Sequence, residues 1–237
     1  GGRPHPVRDA KAVYALRRLA RSVDLVHAHG GLVAFDEVKT GMVVHPGGVT
    51  VMFGVQPDMI CTAKGLTSGY VPLGALILSD RIWDAMASDG NRWFTAGFTY
   101  SGHPVSCAAG LKNIEIIERE NLLGNATRVG GYFEARLAGL ADLPLIGDVR
   151  GKKLMLCVES VADKATKELL PDEANESKRI SNAAEAMGLL VRPIGHLNVM
   201  SPPLVITEAQ VDFVAEVLER AIRQVTDELV REGFRLA

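Results

Sequence analysis

The chain has 237 residues, 47% of them hydrophobic, and 26 basic against 28 acidic side chains leave a net charge of −2. That balance gives no general electrostatic case for nucleic acid or a membrane surface. No apolar run approaches the roughly 20 residues that a membrane-spanning helix needs.

In chain order, 9–22 reads as a helix with Val13, Leu16 and Leu19 on one face, and Asp24 to Gly31 as a short strand into a turn. On that strand His27 and His29 alternate across opposite faces, so they are not expected to share a metal. Strands are expected at 32–37, 58–62 and 74–79, with a loop over 41–48. Runs this apolar suit a parallel or mixed sheet buried on both faces. A short helix, capped by Asp80, covers 80–87. Pro104 opens a long helix through Glu120, a second follows over 122–140, and 147–151 and 154–159 read as paired strands. A helix over 172–187 ends at Gly188, strands follow at 189–192 and 198–200, and Thr207-Glu208-Ala209-Gln210 is a capping box opening the last helix. The stripe Val211, Val214, Leu218, Ala221/Ile222, Val225 and Leu229 faces its core. Cys61, Cys107 and Cys157 read as buried, reduced thiols of a cytoplasmic protein, spaced too widely for a metal site.

Two positions carry chemistry. Asp36 follows the run Leu32-Val33-Ala34-Phe35, and Lys64 follows Asp58-Met59-Ile60-Cys61 in a glycine-rich turn. An acid and a lysine, each at the C-terminal end of a strand, face the crevice where open α/β sheets hold ligands. The pair suits pyridoxal 5'-phosphate (PLP): the lysine forms a Schiff base, and the acid keeps the pyridine nitrogen protonated. A strand-end Asp capping a turn through Thr40 is the plainer alternative for Asp36.

Phe35-Asp36-Glu37-Val38, Ala63-Lys64-Gly65, Gly97-Phe98-Thr99-Tyr100-Ser101-Gly102-His103-Pro104, Gly188-Leu189-Leu190-Val191-Arg192-Pro193 and Ser201-Pro202-Pro203-Leu204 together resemble class III, ω-type PLP-dependent aminotransferases, from about 35 to 237. The resemblance implies an α/β chain: a partial fold type I large domain at 32–140 and a small α+β domain at 141–237. It implies a homodimer that exchanges an amino group between a small-molecule amine or ω-amino acid and a keto acid. Lys64 and Asp36 would be catalytic and bind PLP. Val38 would pack on its ring, Thr99 would reach the partner's cofactor phosphate, and Arg192 would pair with a substrate carboxylate. Val199 stands where relatives specific for α-carboxylates often carry arginine.

Family members carry much of their large domain ahead of the Asp motif, whereas only thirty-five residues precede Asp36 here. A non-catalytic fragment or mosaic is therefore the main alternative. A semialdehyde aminomutase of the same class is another, favoured by Met42-Val43-Val44-His45-Pro46-Gly47-Gly48. Residues 1–34, with 1–31 as a separate segment, weakly resemble part of a GT-B glycosyltransferase through Val26-His27-Ala28-His29-Gly30; a generic helix-strand unit is the alternative.

Overall fold

A computed structural model describes residues 22–24, 26–41, 48–88, 90–91 and 94–236. The helix expected over 9–22 lies, up to residue 21, outside them, as does 42–47 of the loop. The chain divides into two compact units between Glu120 and Asn121.

In the first unit, β1 (Ala34–Asp36), β2 (Met59–Thr62) and β3 (Ala75–Leu78) form a mixed sheet in that order, β1–β2 parallel and β2–β3 antiparallel. Asp58 fixes where the parallel pair begins. Its carboxylate accepts the Val33 N–H at 2.8 Å and holds His27 Nε2 at 2.9 Å. The Val33 bond, outweighing burial and helped by His27 and Arg81, keeps this carboxyl below its ordinary range. Helices α1 (Gly48–Phe53), α2 (Asp80–Ala87) and α3 (Pro104–Arg119) belong to the same unit.

Four expectations need correction here. Residues 22–24 and 26–28 are helical rather than extended, with the turn at His29–Gly30, so His27 and His29 do not alternate across a strand. The residue preceding α2 is Ser79; Asp80 is already its first residue, where an acid still suits the helix dipole. The sheet is not buried on both faces, because Leu76 and Ile77 of β3 are exposed. The three cysteines are free, but only half-buried.

The second unit begins earlier than the sequence suggests. Helix α4 (Leu122–Ala138) packs on β4 (Ile146–Lys152) and on the last helix, α6 (Glu208–Arg231), so the division falls at 120/121 rather than near 140. Strands β4, β5 (Met155–Ser160), β7 (Leu197–Met200) and β6 (Arg192–Ile194) form an antiparallel sheet in that order. The strand expected at 189–192 therefore starts only at Arg192. Alternation along β5 buries Leu156, Val158 and Ser160 and leaves Met155, Cys157 and Glu159 half-covered. Between β5 and β6 lies α5 (Glu176–Ala186), packed on β6, β7 and α6. Residues Val211, Leu218, Ala221, Ile222, Val225 and Leu229 of α6 are buried, and the Thr207–Gln210 capping box closes its first turn.

Candidate active site

The β1–β2 register decides where the two key residues sit. Asp36 pairs with Cys61, and Lys64 lies three residues beyond Cys61, so both emerge at the C-terminal end of the parallel pair.

Lys64 opens a single 3-10 turn, Lys64–Leu66, entered from an extended Ala63. Its φ is +42°, and Ser68 follows at +50°. Left-handed backbone at a residue with a side chain costs on the order of 1–3 kcal/mol and persists only where surroundings impose it. Here the surroundings are α3. Asn113 Nδ2 donates to the carbonyls of Gly65 (2.8 Å) and Leu66 (3.1 Å), and its Oδ1 accepts from Ser68 Oγ at 2.7 Å. Gly110, one turn earlier, lets the helix approach, since a Cβ there would stand 2.8 Å from Leu73 Cδ2. Among the described residues Lys64 Nζ has no hydrogen bond or ion pair, and the side chain is exposed.

Lys64 stands in the wall of an open cleft of about 1050 Å³, with Leu73, Phe98, Tyr100, Ser101 and His103. The far wall is a self-braced turn. Ser101 N–H donates to Phe98 O at 2.9 Å, Ser101 Oγ accepts from Phe98 N–H at 3.0 Å, and the Tyr100 and His103 rings lie 5.8 Å apart. His103 Nδ1 is buried without a hydrogen-bond partner among the described residues. Thr99 sits exposed in this turn, outside the cleft lining.

Asp36 is exposed; its Oδ1 accepts the Val38 N–H at 2.9 Å, while Oδ2 is free among the described residues. The turn partner is thus Val38, not Thr40. Thr40 instead bonds Glu37, which sequence reasoning passed over. Buried Glu37 also accepts Thr50 N–H and Thr50 Oγ1, both at 2.7 Å. Burial pushes this carboxyl up, but the bonds from Thr40, Thr50 and Val49 outweigh it and hold the group below its ordinary value. At Gly48 φ is +69°, and a Cβ would stand 2.6 Å from the Glu37 carboxyl, so glycine is required on two counts. Val38 is half-buried within the turn.

Arg192 belongs to the second unit. Directly paired residues share a face, so Arg192, Val199, Cys157 and Arg150 make one row across the sheet. Arg150 is tied to Glu159 and, at 3.4 Å, to Asp148, whereas Arg192 is exposed and without an ion pair among the described residues. Burial pushes the Cys157 thiol up, which suits an inert packing role.

Residues 13–222 match the family model described as aminotransferase class-III. The chain belongs to this family. The match starts well ahead of residue 35, so it takes in much of the segment read as separate, including the glycosyltransferase-like stretch. The chain is 41% identical over 218 residues to an uncharacterized aminotransferase (y4uB) of Sinorhizobium fredii, covering 88% of this chain and 46% of that protein. It is 41% identical over 186 residues to a diaminobutyrate–2-oxoglutarate transaminase of Halomonas elongata, covering 76% of this chain and 40% of that one. Among solved structures, a thermostable (S)-enantioselective ω-transaminase from Thermomicrobium roseum is 42% identical with a TM-score of 0.81, covering 85% of this chain and 45% of that one. A PLP-bound amine transaminase from an uncultivated Pseudomonas species is 38% identical with a TM-score of 0.83, covering 89% and 48%. The chain thus spans about half the length of the relatives it matches. The fold is that of part of a PLP-dependent transaminase.

The class III family is PLP-dependent, and the first unit's residues fit that cofactor. An unpaired primary amine can meet an aldehyde, exposed aromatic rings can flank a planar heterocycle, and an unpartnered His103 nitrogen offers a polar contact.

Proposed function

We propose that this chain carries the lysine side of a PLP site in an aminotransferase acting between an amine or ω-amino acid and a keto acid. The supporting observation is that Asp36 and Lys64 both emerge at the C-terminal end of the parallel β1–β2 pair, with Lys64 in the cleft wall and unpaired among the described residues. When bound, PLP supplies an electron-accepting ring that stabilises negative charge beside the substrate nitrogen. Lys64 Nζ holds the cofactor, and when free it takes and returns the proton at the substrate carbon bearing nitrogen. Asp36 Oδ2 keeps a proton on the ring nitrogen, and Val38 packs on the ring. Thr99 meets the phosphate of the partner subunit's cofactor in a homodimer. Arg192 receives a substrate carboxylate through its planar fork. The three free thiols suit a cytoplasmic setting.

The test is glutamate formation from 2-oxoglutarate and a panel of primary amines and ω-amino acids, with PLP added. The expected result is glutamate from at least one donor, none with Lys64→Ala, and a rate at least about 100-fold lower with Asp36→Asn at similar PLP affinity. A chain that binds PLP yet yields no glutamate from any donor supports a second reading, a non-catalytic polypeptide.

A further inference from the structure

We propose that Asn113 is a positioning residue that holds Lys64 in its reactive setting; this rests on the reading of Lys64 as the PLP-binding lysine. Three hydrogen bonds run from this one side chain to the Lys64 turn, reaching across 45 or more positions in sequence. No local need explains them. Asn113 lies in the interior of the sixteen-residue helix α3, far from either cap, and asparagine is a poor helix former there. The turn it grips is one that needs gripping. Its first amide bond, Leu66 N–H to Ala63 O, is an ordinary 3.0 Å, but the next two are long: Thr67 N–H to Lys64 O is 3.3 Å and Ser68 N–H to Gly65 O is 3.4 Å. Lys64 and Ser68 both have left-handed backbones, and neither is glycine. The Asn113 amide donates to the Leu66 carbonyl and to the Gly65 carbonyl, which otherwise takes only the long Ser68 N–H bond, while its oxygen takes the Ser68 hydroxyl.

The consequence is geometric. With Asn113 bound, Ala63 stays extended, Lys64 stays left-handed and its side chain leaves the turn toward the cleft. Without it, Lys64 relaxes toward the ordinary helical region, and the Cα–Cβ direction swings away from that heading. Asn113 does not line the cleft, and among the described residues it makes no hydrogen bond to Lys64 Nζ, so its influence passes through the backbone.

The test uses the full chain and four forms: the natural sequence, Asn113→Ala, Asn113→Asp and Ser68→Ala. Aspartate is isosteric and keeps an acceptor for Ser68, but it loses both donors and sets a carboxylate against two carbonyl oxygens. Two readouts are taken. One is amide exchange of Leu66, Thr67 and Ser68. The other is the rate at which Lys64 is labelled by PLP and borohydride, read by peptide mass. In labelling, the Lys64 amine condenses with the PLP aldehyde and releases water, and borohydride then donates hydride to the C=N bond. Loss of the two donors should speed exchange of those amides at least roughly tenfold and slow labelling by a similar factor, in Asn113→Asp as in Asn113→Ala. Ser68→Ala should show a smaller change in the same direction. Exchange of the β2–β3 amides, in the same unit as Asn113, should stay unchanged, marking that unit as folded. If Asn113→Asp exchanges and labels like the natural chain, the proposal is wrong. If exchange changes as expected but Lys64 is labelled in no form, Asn113 holds the turn and the PLP reading is what fails.

Discussion

Glu37 and Asp36 are neighbours with opposite fates. Asp36 faces solvent with one carboxylate oxygen free, while Glu37 turns inward and collects donors from Thr40, Val49 and Thr50. Glu37 thereby ties the turn after Asp36 to the start of α1. Because its folded pKa lies below the ordinary 4.5, its stabilisation is complete above that pH and fades as pH falls through the lower folded value. Protection of the Thr50 amide should therefore drop between about pH 4.5 and the acid limit. In Glu37→Gln the protection should already be weakened at neutral pH, by about 1–3 kcal/mol, and should lose that acid dependence. Amide exchange corrected for intrinsic rates measures both. Protection in the natural chain that is flat down to pH 3 would contradict the account. At this scale the sequence was readable where a residue's chemistry is rare for its place, as with a lysine after an apolar strand. Glu37 and Asn113 were not readable. Each acts by accepting or donating across 13 or 48 positions, and no local pattern encodes that.

Elements were legible when their signal was local and periodic. The Thr207–Gln210 box, the Pro104 helix start and the α6 stripe were evident, and the structure places them as expected except that Val214 is only half-buried while Ala215 and Val217 are buried. The failures share one cause. Residues 22–24, 26–28 and 189–191 lie in apolar runs too short to separate strand from helix or coil, and packing decided them. Likewise the boundary at 120/121 depends on which neighbours α4 packs against, which its own amphipathic pattern does not name. Two substitutions test the α6 account by thermal and denaturant unfolding. Leu218→Ala empties a fully buried position and should cost about 2–5 kcal/mol. Thr207→Ala removes one half of the capping box and should cost about 1 kcal/mol. A Thr207→Ala loss as large as that of Leu218→Ala would mean that packing against α4 and α5 is not what holds α6.

For the whole molecule, the decisive feature is apolar surface left uncovered among the described residues. Leu76 and Ile77 are exposed on β3, an edge strand among those residues, and Phe98, Tyr100, Val105 and Leu111 are exposed on and before α3. Unpaired strand edges and contiguous apolar patches promote association. Sedimentation at increasing concentration should therefore show self-association, weakened by Ile77→Lys. A monodisperse monomer over the same range would contradict this. Asp36 and Lys64 stand together at the C-terminal end of the parallel β1–β2 pair, and recognition of PLP rests on that end of the sheet. The most direct measurement is peptide mapping of the full chain after PLP and borohydride. The account predicts saturable label confined to Lys64 and absent from Lys64→Ala. Label spread over the surface lysines, or unchanged when Lys64 is removed, would contradict it.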